Sequence, residues 1–501
     1  MQARVESYSA HVLQVSNCLS VGYPRAMNPQ EITSFVDRVW DEEIVPSLVE
    51  YIRIPNKSPD FDADWKANGH MDRAAEWIGD WCRGRSIRGL EVELIELEGR
   101  TPLIFMEIPG EPETTLLMYG HLDKQPEMEG WREGHGPWEP SLEGDKLYGR
   151  GGADDGYAAY ASLTAIEALQ AQGIPHPRIV ILIEGCEESG SYDLPHYIDH
   201  LGERIGEPDL VVCLDSGAGD YERLWLTTSL RGYAMGVLNV ETLTEGVHSG
   251  DAGGIVPETF RVTRSLIERL EDATTGRVRV DALHVEIPEE RVAQAQLVAE
   301  ALGDDVYECF PLTDGTKPMG ADPAELVLNR TWRPALAVTG ADGLPPIPEA
   351  GNVLRPRTSV KISLRIPPTC DPEGAVAAVK DTLEADPPHG ARVSFGDTGC
   401  AGGWNAPDMT DWLAEAVDES SRTFFDCGAV LMGEGGTIPL MGLLGEKFPR
   451  AQFVITGVLG PASNAHGPNE FLHIPMGKKL TACVAQITAR MCEWGKANAP
   501  G

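Results

Sequence analysis

A chain of 501 residues is too long for one ordinary hydrophobic core, so two domains are expected. Apolar residues make up 42% and charged residues 24%, and no run nears the roughly 20 apolar residues that span a bilayer, which fits a globular protein and not a membrane protein. Its 41 basic and 77 acidic side chains leave a formal charge of −36, a field that repels nucleic acid and anionic lipid.

Residues 1–26 lack the basic start and continuous apolar run of a secretion signal. They read as an N-terminal extension with little role in the fold. Met27 opens a helical pattern with Ile32, Phe35, Val36, Val39 and Trp40, followed by a segment ending at Pro59. A second helix is expected near His70–Arg83. Alternation in GLEVELIELEG and TPLIFMEIPG then predicts two adjacent strands.

Three short, continuous apolar runs follow: TLLMYG (115–120), RIVILIEG (178–185) and DLVVCLD (209–215). Strands buried on both faces of a mainly parallel sheet have this character. The helical stretch Tyr157 to Gln172 supplies the crossover between the first two. From Arg231 the pattern changes to strand (GYAMGVLNVET), helix (ETFRVTRSLIERL), strand (SVKISLRIPP), helix (EGAVAAVKDTLEA) and strand (ARVSFGD), with irregular sequence between, as in a small α+β sandwich. Residues 405–501 return to helix (MTDWLAEAVDESS), strand (AQFVITGVLG) and a final helix from Pro475. The expected layout is a catalytic α/β domain from residues 27–230 and 403–501, with a lid inserted at 231–402. The 10 cysteines form no C-x-x-C pair, which fits reduced thiols and a cytoplasmic setting, with Cys186 and Cys213 in the core.

Each buried-looking strand ends in a polar residue able to bind metal. TLLMYG meets His121-Leu122-Asp123, RIVILIEG meets Cys186-Glu187-Glu188, DLVVCL ends at Asp215, and AQFVITGVLG runs on to His466. Asp154 and Asp155 stand at the start of the crossover helix. Ligands of open α/β sheets bind beyond the carboxyl ends of the strands, so these residues are expected on one rim. Singly, each has a plainer reading: a helix cap for Asp154-Asp155, an exposed turn for Glu187-Glu188, a turn residue at Asp215, a structural histidine at His466. Four strand ends sharing the feature make metal binding the better account. Imidazole and carboxylate suit Zn²⁺ or Mn²⁺. Asp123, two residues past His121, is placed to accept from the other ring nitrogen.

The series GHLD, LYGRGGADD, EGCEESGS, LDSG, GVHSG, SLRIPP, GEGGTIP and AHGPNE, in that order, resembles the di-metal dipeptidase and deacylase family. That family includes carnosine dipeptidases, carboxypeptidase G, acetylornithine deacetylase and succinyl-diaminopimelate desuccinylase, and the likeness is nearest the carnosinase type. It implies a mainly parallel sheet flanked by helices, a ferredoxin-like lid and dimerisation domain, two divalent cations per subunit, and a homodimer. It makes His121 and Asp215 ligands of one metal, Glu188 and His466 ligands of the other, and Asp154 the bridge. Glu187 becomes the general base acting on a metal-bridging hydroxide, and His248 the oxyanion group reaching a partner subunit's site. Arg365 would hold the substrate carboxylate, with Asn352, Thr437, Gly435 and Gly436 as further contacts. Two departures bear on substrate choice: Gly156-Tyr157 stands where many members have Lys-Gly, and GCAGGW lacks a histidine that some dipeptidases use.

The implied reaction is hydrolysis of the amide bond of a dipeptide or dipeptide-like substrate. An N-acyl-amino-acid deacylase of the same chemistry is the alternative. A non-catalytic, metal-stabilised binding protein is a third reading, against which stands the retention of every ligand and of the base.

Overall fold

Period-two alternation sorts the central strands between two cores. In this computed structural model, which describes residues 26–111, 114–437 and 439–498, the strands that position the site are, in chain order, β1 (Glu91–Ile95), β2 (Leu103–Ile108), β3 (Thr115–His121), β4 (Arg178–Glu184), β5 (Leu210–Cys213), β6 (Gly232–Glu241), β7 (Ala335–Asp342), β8 (Arg357–Ile366), β9 (Arg392–Ala401) and β10 (Gln452–Ile455). Residues 1–25 of the expected N-terminal extension lie outside the described residues. β1, β2, β4, β3, β5 and β10 form one sheet in that order. The β1–β2 and β2–β4 ladders are antiparallel, and the β4–β3, β3–β5 and β5–β10 ladders are parallel. β3, β4, β5 and β10 therefore end on one rim.

Ile104, Met106, Leu116, Met118, Ile181 and Val212 enter one core with helices Pro29–Val39, Ala158–Gln172 and Ile474–Asn498. Phe105, Leu117, Tyr119, Val180, Leu182 and Val211 enter the other with helix Leu194–Ile205. Removing each such side chain from water stabilises the fold by about 1.5–3 kcal/mol. Helix Pro29–Val39 begins where its cap chemistry dictates: Asn28 Oδ1 accepts the Gln30 N–H at 3.1 Å, and Pro29 fills the first helical position. Cys186 and Cys213 are both fully buried, and all cysteines among the described residues are unpaired.

β7, β8, β6 and β9 form a separate antiparallel sheet in that order. With helix Thr259–Leu270 after β6 and helix Pro372–Glu384 after β8, this is the ferredoxin-like βαββαβ arrangement. Ala234, Leu238, Ile362 and Leu364 pack against the helices. Alternation puts Tyr233, Met235, Ser363 and Arg365 on the opposite face, where burial is incomplete.

One stretch expected to be irregular is ordered helix. Glu289–Leu302 and Pro323–Thr331 pack on strand Val430–Glu434, with Val298, Val327, Leu328 and Trp332 in the larger core. EERVAQAQLVAEAL is rich in strong helix formers but has only a faint apolar stripe, so periodicity alone passes over it. No helix among the described residues is long and apolar enough to cross a membrane.

Candidate active site

Hydrogen-bonding groups at the rim of β3, β4 and β5 are bound to each other before they meet any ligand. His121 is the last residue of β3 and is buried. Its Nε2 lies 3.3 Å from Asp154 Oδ1 and 3.7 Å from Asp215 Oδ2. The other oxygen of Asp154 lies 3.1 Å from His466 Nε2, which is also 3.3 Å from Glu188 Oε2. One carboxylate thus stands between two imidazoles, with an oxygen turned to each. His121, Asp154 and Glu188 offer ligand atoms within 4.8 Å of one another, and so do His121, Glu187 and Asp215.

The supports for these groups come from backbone geometry. Gly152–Gly156 forms a tight turn ahead of helix Ala158–Gln172 and buries Asp154 and Asp155 together. Asp155 Oδ2 accepts the His121 N–H at 3.2 Å, so the two elements are locked side by side. The Asp123 carboxylate accepts the N–H groups of Glu187 and Glu188 at 3.1 and 2.9 Å. It lies 3.5 Å from His121 Nδ1, while the Asp123 carbonyl oxygen is closer to that nitrogen, at 3.1 Å. Donation from Nδ1 to either acceptor leaves Nε2 free to ligate. His466 sits in a tight loop in which Ala462, Asn464, His466 and Asn469 all have positive φ. Such backbone is costly for non-glycine residues and persists only where the surroundings impose it. Here Gly467 N–H bonds Asn464 O at 2.9 Å, and Phe471 N–H bonds Ser463 O at 3.0 Å.

Electrostatics follow from crowding. Burial would raise the Asp154 pKa, yet its hydrogen bonds to His121 and His466 bring it well below the usual carboxylate range. Burial pushes Glu187 up, and Asp215 adds to the effect; burial and Asp154 do the same to Glu188. His121 is pushed up despite its burial, chiefly by Asp215. All of this expresses concentrated negative charge that a cation would neutralise. Among the described residues Glu188 Oε1 and Asp155 Oδ1 are buried without a hydrogen-bond partner, a state that costs about 1–3 kcal/mol unless a positive group faces the atom. Two imidazoles and several carboxylates converging in this way fit divalent cations such as Zn²⁺ or Mn²⁺. The neighbouring thiols of Cys186 and Cys213 are pushed up by burial and offer no thiolate.

The remaining sequence-selected residues form two further groups. Arg365 on β8 donates to Thr437 Oγ1 at 3.1 Å, and Thr437 in turn donates to the carbonyl of Arg231. Arg231 Nε donates to Gly435 O at 3.3 Å, and Gly436 borders open space. His248 and Asn352 meet elsewhere, where Val247–His248 pairs with Val353–Leu354 and Ser249 N–H bonds Asn352 O at 2.9 Å. His248 is well exposed, and its Nδ1 accepts from the Gly250 N–H at 3.2 Å. Among the described residues, neither His248 nor Asn352 hydrogen-bonds a member of the carboxylate and histidine cluster.

Several supports were not singled out from sequence. Gln125 Nε2 donates to Glu188 Oε2 at 2.6 Å. Arg150 and Glu470, both buried, form an ion pair, and Gly151 N–H bonds Glu470 Oε1 at 2.8 Å. That pair joins the Asp154 turn to the His466 loop. The recurrence of polar residues within HLDKQ, LYGRGG and HGPNE is the signal that marks them.

A family model described as Peptidase family M20/M25/M40 matches residues 117–490, a span that contains every residue of the cluster. A cysteinylglycine-S-conjugate dipeptidase of Corynebacterium striatum is 29% identical over 369 residues, 71% of this chain and 76% of that protein. A human Beta-Ala-His dipeptidase is 27% identical over 384 residues, 74% of this chain and 73% of that protein. The crystal structure of human carnosine dipeptidase 1 superposes with a TM-score of 0.72 at 22% identity, covering 94% of this chain and all of that one, a likeness of fold.

Proposed function

The chain belongs to peptidase family M20/M25/M40, and we propose that it is a two-metal dipeptidase acting on small peptides with a free C-terminal carboxylate. The observation that carries this reading is Asp154, whose two oxygens face His121 at 3.3 Å and His466 at 3.1 Å. His121 and Asp215 would hold one divalent cation, Glu188 and His466 the other, and Asp154 would bridge them. Zn²⁺ or Mn²⁺ bound there would polarise the scissile carbonyl and acidify the attacking water. The names of the relatives as cysteinylglycine-conjugate and Beta-Ala-His dipeptidases support the substrate class.

The protein's own groups then act in order. Arg365, on the open face of the lid sheet, takes the substrate carboxylate in its planar fork, with Thr437 and the Gly435-Gly436 backbone alongside, while Asn352, which sits beside His248, contacts substrate from a second subunit. Glu187 removes a proton from the attacking water and delivers it to the leaving amine, a task suited to a carboxylate whose pKa burial and Asp215 raise above its ordinary value. Asp123 fixes the Glu187-Glu188 turn through its two N–H contacts and orients His121. His248, exposed on the lid, serves the developing oxyanion in the site of a second subunit, so the working form is a homodimer. The division into 27–230, 231–402 and 403–501 is part of the same proposal. The unpaired thiols support a reducing, cytoplasmic setting.

A panel of unblocked dipeptides beside N-acetyl and N-succinyl amino acids, with metal-loaded and chelator-treated protein, tests the reading. Chelator-sensitive cleavage of the dipeptides is expected. Cleavage of the acylated compounds alone would make the chain a deacylase of the same family, and cleavage of neither would remove the catalytic claim.

A further inference from the structure

Arginines in this strongly acidic chain normally have carboxylates to meet, yet among the described residues three beside the lid form no ion pair. Arg231 is buried and spends its donors on main-chain carbonyls: Gly435 at 3.3 Å, Asn329 at 3.4 Å and Arg333 at 3.3 Å. Among the described residues Arg330 hydrogen-bonds Met432 Sδ at 3.4 Å, its Nε is buried with no hydrogen-bond partner, and the buried carboxyl of Glu434 feels its charge without pairing with it. Arg365 meets the Thr437 hydroxyl. Burial, with Arg365 and Arg330 close by, pushes the Arg231 guanidinium down to about 10. A buried guanidinium group without an anion is costly to keep, and the natural relief is an anionic ligand.

Arg231 and Arg330, with Arg333, stand at the wall of a cavity of about 770 Å³. Its remaining wall is mainly apolar, with Val285, Val306, Phe310, Leu312, Met319 and Trp332 among the lining residues. Phe310, Leu312 and Met319 are exposed, at 51%, 44% and 77%, although each is an apolar side chain. Cavities of roughly 300–1,000 Å³ with a few convergent polar groups are the size that takes small organic ligands. None of the lining residues belongs to the His121, Asp154, Glu188, Asp215 and His466 cluster.

We propose that this cavity is a second ligand site, separate from the hydrolytic centre, for a small amphipathic anion with its carboxylate at Arg231 and Arg330 and its apolar body against Phe310, Leu312 and Trp332. The head group would gain charge-assisted hydrogen bonds that the protein does not itself supply. Arg231 links this site to Arg365, because its carbonyl accepts the Thr437 hydroxyl that also accepts from Arg365. Occupancy would therefore alter how firmly Arg365 is held. The site stands whether or not the chain cuts peptides.

The probe is decanoate, titrated calorimetrically into full-length protein, with decanol as the uncharged counterpart. Saturable binding of one decanoate per chain is expected, weaker for decanol. Arg330→Met should lower decanoate affinity about tenfold or more, as loss of a charged hydrogen bond does. Leu312→Glu, at an exposed position that leaves the fold intact, should do the same. Binding should persist in Asp154→Asn and after chelation, and hydrolysis is scored separately. No saturable binding would overturn the proposal. So would binding that survives both cavity variants, or binding that disappears with Arg365→Met or with chelation while surviving Arg330→Met, since the carboxylate would then lie at the hydrolytic centre.

Discussion

Asp154 turns one oxygen to each of two imidazoles, the arrangement a carboxylate bridging two cations would need. Glu187 lies with His121 and Asp215 and takes no part in that arrangement. Glu187→Gln should keep the fold and the metal yet lose about a hundredfold to ten-thousandfold in turnover. Steady-state rates with matched metal content check this, and near-normal turnover would remove Glu187 as the base. A second residue-scale prediction concerns His176, which is buried, donates from Nδ1 to Pro177 O at 2.8 Å, and accepts from Gln170 Nε2 at 2.9 Å. Burial lowers its pKa, Arg88 nearby lowers it further, and the Pro177 carbonyl and Glu111 only partly oppose this. Its neutral form thus stabilises the native state above the unfolded-state value of about 6.5, and that contribution is lost as pH falls through the lower native value. Exchange of the His176 ring C2 proton, followed by mass spectrometry across pH, should give a midpoint below about 6.5; one above it would contradict the packing described. The ligand-type residues were legible in sequence because His121, Glu188, Asp215 and His466 follow apolar strand runs and Asp154 opens the crossover helix. Gln125 and Arg231 were not, because their partners lie dozens of residues away and only folding brings them together.

At the scale of elements, four parallel strands deliver the site to one rim, and a close contact of β3 with the crossover helix holds it there. Gly120, one residue before His121, is the point of closest approach. A Cβ there would meet Ala158 Cβ at 2.5 Å and Asp155 Oδ2 at 2.7 Å. Gly120→Ala should therefore cost about 1–3 kcal/mol through overpacking. It should also depress hydrolysis beyond the loss of folded protein, since Asp155 holds the His121 backbone. Thermal melting together with activity per folded molecule checks both effects, and a variant that melts and turns over like the parent would contradict the contact. The buried strands were readable because continuous apolar runs have few alternative explanations. Helices Glu289–Leu302 and Pro323–Thr331 were not, because tertiary packing on Val430–Glu434 supplies what their weak amphipathic pattern lacks.

At the scale of the whole molecule, a ferredoxin-like sheet carries Arg365 on its open face and the protein's central sheet carries the ligand cluster. His248 stands exposed, with no hydrogen bond to that cluster among the described residues, as a residue serving a second subunit would. Mixing His248→Ala with Asp154→Asn, each inactive alone, should restore partial hydrolysis. A mixture that forms mixed dimers yet stays inactive would assign His248 to its own chain. Neither His248 nor Arg365 was legible from residue chemistry alone; an exposed loop histidine and a strand arginine have ordinary uses, and only the resemblance marked them. The formal charge of −36 adds a general expectation that binding of cations is favoured and that of nucleic acid is not.

The central claim is a pair of divalent cations shared through Asp154, and elemental analysis of the dialysed, Zn²⁺- or Mn²⁺-loaded protein tests it most directly. Two ions per chain are expected, with occupancy falling in Asp154→Asn and in His466→Ala while the fold persists. One ion per chain, or two ions indifferent to both substitutions, would contradict it.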